Sequence, residues 1–555
     1  MVCAHQSWLR VHLDQNSFVL QYGNRLDNIT RSLPHPTRQY PSLIFFVGKQ
    51  SKARAVQALF PGNTISRCRN HGIANICLDP ATLNDEYPVL LADSTPDHAQ
   101  TNFRGKVACH EVINYPLSWS DSESNLASKD LVDRIYARIF SLFIDVLCIF
   151  AQDYSGLDAV AERLAVWTAI GSASSLPGSV RPRLLIVTSI SGVDFNSEAL
   201  SFRLRVLSDP KFSASFSSLH VVNVLGSTRS PSREQFSGLG MVLRDETSTA
   251  RAERITAHTL FSMIHITGFF DIALRNFATS PQHAFDFIVS TRESNPVPAN
   301  FQQHLTSFMR LASKHKLPQN ILWDFIASAI ILDSSPPDMH CKWARRQTHR
   351  YANHSRVFNP SDVFRAFYRH ACLLGIEEFA ESLQLSSELI CADIEACLIS
   401  MFSQIKYDGQ SAAALRQQSL ERNSQHWQLL QSNVDCFICL QRKPEHIMEC
   451  GHTICDMCVS NSIFSKPTKG REYYYDISTC PQCQTNIYFQ ARVLPPTCRV
   501  RFLGIDGGGS RGVVSLAFME RLERALDLSY PVQEHFDFAV GTSSGELLIG
   551  GQYLV

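Results

Sequence analysis

The sequence predicts a multi-domain chain in which an α/β platform is followed by a helical segment, a small cysteine-rich finger and the opening of a second α/β domain. Three observations predict it. Five short apolar runs alternate with helical stretches between residues 41 and about 230, apolar residues recur at three- and four-residue steps between about 300 and 430, and eight cysteine and histidine residues stand in four pairs between 436 and 483. At 555 residues the chain has room for roughly three or four domains of about 150 residues, and its 45% apolar and 10% aromatic side chains suffice for several cores.

Lys plus Arg (51) equals Asp plus Glu (51), so no overall field draws the chain to nucleic acid, and no nucleic-acid partner is expected. The N-terminus, MVCAHQSWLRVHLDQ, lacks the apolar region of a secretory signal. The most apolar windows, IYARIFSLFIDVLCIFAQ and TLFSMIHITGFFDIAL, are interrupted by Arg138 and Asp145 and by His265 and Asp271, short of the ~20 clean apolar residues of a membrane span. An intracellular, cytoplasmic location is expected. There is no internal repeat and no long low-complexity tract.

Residues 1–40 form an N-terminal segment without a strong signal. From 41 to 300, the runs SLIFFVG, PVLLAD, DVLCIFA, RPRLLIVTS and SLHVVNVLG each predict a buried strand, and strands alternating with helices predict a mostly parallel sheet. FFVGKQSKARAVQALF stands where a phosphate loop would stand, with LLADST and LLIVTS further along, and this region resembles a GTPase core. The loop itself is degenerate. Counting from Gly48, Ala53 takes the place of the second glycine, Arg54 that of the lysine and Ala55 that of the hydroxyl that holds Mg²⁺. The expectation is a nucleotide-free, pseudo-GTPase scaffold. Residues 301–430, with FQQHLTSFMRLASKH, DVFRAFYRHACLL and ELICADIEACLISMF, predict helices packed into one core. SSPPD and LPPT suggest linkers.

Residues 434–490 carry the strongest signal. CFICLQRKPEHIMECGHTICDMCV followed by STCPQC places Cys436, Cys439, Cys450, His452, Cys455, Cys458, Cys480 and Cys483 at the spacing of two closed, four-coordinate zinc sites, with no open position for catalysis. Seven of the seventeen cysteines are thereby used; the other ten, such as Cys148, Cys391 and Cys498, lack such spacing. The order and spacing resemble the C3HC4 RING finger over about fifty residues, with every ligand present. The resemblance implies a two-zinc RING-type cross-brace in which Cys436, Cys439, Cys455 and Cys458 hold one structural Zn²⁺ and Cys450, His452, Cys480 and Cys483 the other. It also implies a ubiquitin-conjugating enzyme as partner, touched by Ile438 and Pro481. Gln484 stands where such fingers often carry an arginine, and the twenty-one residues between Cys458 and Cys480 make the second half long.

The last segment, 499–555, opens on RFLGIDGGGSRGVV. Three glycines between an apolar run and an arginine serve equally to hold a phosphate, as in some sugar kinases, or the oxyanion of a breaking ester. The residues beyond the loop discriminate between the two. VVSLAFMERLERALDL places Met519, Leu522 and Leu526 on one helical face, and the strand FDFAV runs into Gly541-Thr542-Ser543-Ser544-Gly545, a G-x-S-x-G turn that exposes a serine at a strand end. DGGGSRG and GTSSG, thirty-seven residues apart (543 − 506), resemble the start of a patatin-like phospholipase domain. By that resemblance the enzyme is a lipid acyl-ester hydrolase with a Ser-Asp dyad. Ser543 is the nucleophile, Gly507, Gly508 and Gly509, with Ser510, supply the oxyanion hole, and Arg511 braces the loop. The implied substrate is a lipid ester or phospholipid, met in peripheral contact with a membrane. Glu546 departs from the family's second glycine. The family's aspartate lies in a D-G-G or D-G-A turn over a hundred residues beyond the serine, whereas twelve residues follow Ser543 here (555 − 543), and Asp506 and Asp537 do not match its place. The expectation is a truncated chain, inactive as an esterase. A RING-type ubiquitin ligase or a zinc-stabilised adaptor is the alternative function.

Overall fold

The computed structural model describes residues 7–14, 17–65, 73–95, 112–120, 128–190, 194–224, 234–293, 295–335, 358–494, 501–526, 532, 536 and 538–545. Cys498, Asp537 and Glu546 lie outside them. The chain divides into two compact units, residues 1–294 with 354–359, and residues 295–353 with 360–555. Among the described residues no helix is long and apolar enough to cross a membrane.

The first unit is built on a nine-stranded mixed sheet. Its strands are β1 (Ser7–Asp14), β2 (Ser17–Tyr22), β3 (Ser42–Val47), β4 (Ala74–Leu78), β5 (Val89–Ser94), β6 (Ile113–Pro116), β7 (Val146–Phe150), β8 (Arg183–Thr188) and β9 (Ser218–Asn223), in the order β6-β2-β1-β4-β5-β3-β7-β8-β9. Strands β5, β3, β7, β8 and β9 run parallel, and they are the five apolar runs read from the sequence. Every residue of β3 and β7 is buried, because a parallel sheet is covered on both faces. The helices Gln50–Leu59 and Ser237–Thr256 cover one face, packing Ala55, Val56, Leu239 and Leu243 on Phe46, Cys148 and Leu185. Asp145, which interrupts an apolar window in the sequence, ties this cover down: its carboxylate accepts from the Leu43 amide (2.8 Å) and pairs with buried Arg254 (2.6 Å).

The sheet is mixed rather than mostly parallel. Strands β4, β1, β2 and β6 extend it with antiparallel pairings, so β1, β2 and the helix Arg25–Ser32 from the segment 1–40 belong to the platform. Half-buried strands such as SWLRVHLD lack the continuous apolar run of the parallel ones, and β6 ends in Pro116 at the sheet edge.

Among the described residues the second unit begins with seven helices, Phe301–Lys314, Gln319–Ser334, Pro360–Phe367, Arg369–Ser382, Ser387–Tyr407, Ala412–Arg422 and Ser424–Trp427. Phe308 and Phe325 stack at 4.4 Å in their core. The cysteine-rich finger contributes β10 (His446–Ile447), β11 (Thr453–Ile454), β12 (Lys466–Pro467), β13 (Tyr474–Thr479) and β14 (Asn486–Arg492), the last three forming an antiparallel sheet whose first two strands occupy the long stretch between Cys458 and Cys480. It is seated on the helices: Phe437 packs edge-on against Phe308 at 5.7 Å, and Gln482 donates to the carbonyl of Trp427, at the end of the last helix, at 3.1 Å. The final segment is a βαβ unit of β15 (Phe502–Ile505), the helix Gly512–Leu526 and β16 (Phe538–Gly541), whose strands pair in parallel. Ile505, Met519 and Val532 form its small core, while Phe502, Val513, Val514, Leu516, Phe518 and Phe538 are exposed.

Candidate functional site

The pairs Cys436–Cys439 and Cys480–Cys483 sit on tight turns, and Cys455 and Cys458 sit at the start of and within the short helix Asp456–Val459. The Leu440 amide donates to the Cys436 carbonyl (2.8 Å) and the Gln484 amide to the Cys480 carbonyl (3.0 Å); Leu440 and Gln484 both take positive φ, 58° and 61°. These turns aim the thiols inward. Cys436, Cys439, Cys455 and Cys458 form one group and Cys450, His452, Cys480 and Cys483 another, with ligand atoms within 4.8 Å of one another in each. The two groups interleave along the chain as a cross-brace.

The donor geometry fits zinc. Tetrahedral Zn–S bonds of about 2.3 Å place sulfurs about 3.8 Å apart. Cys436 and Cys458 stand at 3.9 Å, and Cys439 and Cys455 at 3.8 Å. In the second group His452 Nδ1 lies 3.4 Å from Cys450 Sγ, while Nε2 is 3.1 Å from the Trp427 carbonyl. A carbonyl only accepts, so Nε2 carries the proton and Nδ1 keeps its lone pair for a metal. Burial also holds this imidazole below its usual pKa, favouring the neutral ring that a metal needs. Four-sulfur and three-sulfur-one-nitrogen sets are those of structural zinc.

Residues that the sequence did not single out bind the finger to the helices. Fully buried Arg416, on the helix Ala412–Arg422, donates to the carbonyls of Phe437 (2.6 Å), Ile438 (2.9 Å) and Phe325 (2.6 Å) and to Ser328 Oγ (2.6 Å), with its guanidinium over the Phe325 ring at 3.9 Å. Burial pushes its pKa down to about 10; Asp324 and the thiols of Cys439, Cys458 and Cys436 oppose the shift, so the group stays cationic beside a site that bears negative charge. Gln482 donates to the carbonyls of Trp427 (3.1 Å) and Leu430 (2.5 Å). Asp435, next to the first ligand, accepts from Ser307 (2.6 Å) and Ser432 (2.7 Å) and meets His304 at 2.7 Å. Only Asp435 and Gln482, being adjacent to ligands, carried a local hint.

Ile438 and Pro481 are both buried within this unit. Gln484 turns back on the finger, donating to the Pro481 carbonyl at 2.9 Å.

At the other end of the unit, Ser543 is exposed and has φ 53°. Non-glycine residues enter this region at a cost of about 1–3 kcal/mol. The glycine loop lies against the serine turn: a Cβ on Gly507 would stand 2.5 Å from the Thr542 carbonyl oxygen and 2.8 Å from Ser543 Cβ. A Cβ on Gly545 would collide with the Ile505 carbonyl, so the turn also needs its last glycine. The Gly507 amide donates to Thr542 Oγ1 (2.9 Å) and the Gly508 amide to Ser544 Oγ (3.1 Å), so hydroxyls of the turn occupy two of the expected oxyanion donors. Gly509 comes next with φ 57° and, with Ser510 and Arg511, forms a short 3₁₀ turn into the helix. Arg511 steadies the loop through its backbone, the amide donating to the Gly508 carbonyl (3.1 Å); its exposed side chain makes no hydrogen bond or ion pair with a described residue. Among the described residues the Ser543 hydroxyl has no hydrogen-bond partner, and no base approaches it.

No protein-family model matches the chain, and no curated protein matches it.

Proposed function

We propose that residues 501–545 are the nucleophile and oxyanion half of a patatin-like serine acyl-ester hydrolase acting on lipid esters of the phospholipase or lysophospholipase type. The carrying observation is the left-handed conformation of Ser543 at the end of β16, with the glycine loop seated against it. Such a turn projects the hydroxyl away from the strand, and neighbouring amides can take the charge of a tetrahedral intermediate. In this reading Ser543 Oγ attacks the ester carbonyl, and the Gly507 and Gly508 amides exchange their hydroxyl partners for the developing oxyanion. The proton must pass to a carboxylate outside the described residues. The test is cleavage of a short-chain p-nitrophenyl ester by the chain and by Ser543→Ala, without and with formate as an external carboxylate base. Formate is expected to raise turnover by the chain and not by Ser543→Ala. Turnover that survives the substitution, or none that depends on Ser543 when formate is present, would remove the reading.

For the finger, we infer a zinc-stabilised structural and adaptor role rather than ubiquitin transfer. The burial of Ile438 and Pro481 leaves neither on a free surface for a conjugating enzyme. A discharge assay with charged conjugating enzymes is expected to show no acceleration; acceleration lost in Ile438→Ala would reverse this choice. The platform reads as a degenerate GTPase-like scaffold, because β3 stands where the crossovers to β5 and β7 leave on opposite sides, the position at which open α/β sheets bind ligands.

A further inference from the structure

We propose that the Asp153 carboxylate is a built-in anion occupying the phosphate position of the platform, so that the crevice at the carboxyl end of β3 is closed and becomes an oxyanion site only when that carboxylate is removed. The inference rests on the reading of residues 41–300 as a degenerate GTPase-like scaffold.

In a phosphate loop, amides between a strand and the next helix converge on an anion, and the helix dipole adds partial positive charge. Here β3 ends at Val47 and the helix begins at Gln50, leaving Gly48 and Lys49 as the whole connection. The Gly48 amide donates to the Ser94 carbonyl (3.2 Å), and the amides of Lys49 and of the helix's first turn already have their anion. Lys49 N–H donates to Asp153 Oδ2 at 2.6 Å, Lys52 N–H to the same oxygen at 3.2 Å, and Ser51 N–H to Oδ1 at 3.2 Å. Asp153 arrives from the 3₁₀ turn Ala151–Tyr154 that succeeds β7, the strand beside β3. A Cβ on Gly48 would lie 2.5 Å from Asp153 Oδ2, so the glycine that looks like the start of a phosphate loop makes room for the carboxylate.

The cation is taken as well. The register counted from the sequence puts Arg54 at the lysine position, but the connection is shorter than that count assumes and Arg54 is exposed. Lys52 enters the crevice instead, and its Nζ, nearly buried, bonds Asp93 Oδ2 (2.7 Å) and the Ser94 carbonyl (2.9 Å). Asn75 completes Asp93 at 3.0 Å. A nucleotide phosphate would therefore have to displace one carboxylate and draw Lys52 from another.

The experiment is thermal unfolding of the full chain as wild type, Asp153→Ala and Asp153→Asn, in chloride and in millimolar pyrophosphate at matched ionic strength, with wild type also measured in GTP and Mg²⁺. Asp153→Ala is expected to melt lower by roughly 3–6 °C, the scale of a lost helix cap, and to recover at least half of that in pyrophosphate, while wild type does not move. Asp153→Asn, whose amide still fills the seat, is expected to lose and recover less. If Asp153→Ala does not fold, Asp153→Asn against wild type carries the same comparison. A loss that pyrophosphate does not restore would reduce Asp153 to a remote helix cap and overturn the inference, leaving the scaffold reading intact. A rise in wild-type melting with GTP and Mg²⁺ would overturn the scaffold reading and the inference together.

Discussion

Arg416 concentrates the energetics of the finger in one side chain. Its guanidinium satisfies three carbonyls and a hydroxyl inside a closed core. Replacing it with methionine takes their donor from the buried Phe437 and Ile438 carbonyls, each at about 1–3 kcal/mol, while the Phe325 carbonyl keeps the Ser328 hydroxyl (3.0 Å), and removes the cation beside the four-thiolate group. Arg416→Met is therefore expected to destabilise the second unit by roughly 3–5 kcal/mol and to weaken metal retention about 10–100-fold, read by competition with a chromophoric chelator. Lysine is expected to rescue little, since it lacks the planar fork. Chelator release at the wild-type rate would show that the arginine serves the helices alone. The ligands were legible in the sequence because each metal pair lies within four residues. Arg416 was not: its partners stand 21, 22, 88 and 91 residues away. Asp153, 101 to 104 residues from the amides it caps, was hidden in the same way.

At the scale of elements, the strand-to-helix turn at Ser543 and the glycine loop after β15 hold one another in place. Glycine at 543 would adopt the observed φ freely, so Ser543→Gly is expected to slow hydrogen exchange at the Thr542 amide, which donates to the Ile505 carbonyl (3.2 Å), by a few-fold while removing the proposed nucleophile. Gly507→Ala is expected to do the reverse, since its Cβ has no space against Thr542 and Ser543, and exchange at Thr542 should rise at least tenfold. Unchanged exchange in both variants would mean that loop and turn do not support each other. The same scale explains which strands could be read. Strands β3, β5, β7 and β8 announce themselves as continuous apolar runs because both faces are covered, and β9, half-buried at the edge, carries a shorter run. Strands β1, β2 and β6 are only partly buried, and short β4 comes after an apolar-poor stretch, so their pairing depends on the sheet already present.

Across the whole molecule, metal held by the finger is expected to have a local reach. Two groups of four ligands could hold two metal ions, two zinc ions per chain are expected, and elemental analysis finding fewer than about one per folded chain would contradict that. Because His452, Gln482 and the Cys436–Cys439 turn are bonded to the helices, a strong chelator is expected to abolish the unfolding transition of the second unit while the sheet of the first keeps its own. Loss of both transitions together would show that the two units share one stability. The proposed chemical function depends on the serine turn, and covalent capture tests it most directly. A fluorophosphonate needs a nucleophilic serine and a site for its oxyanion, and mass spectrometry places the adduct on a residue. With formate supplied as base, the adduct is expected on Ser543, absent from Ser543→Ala and diminished at least tenfold in Gly507→Ala; an unmodified Ser543, or equal labelling scattered over other serines, would contradict the assignment.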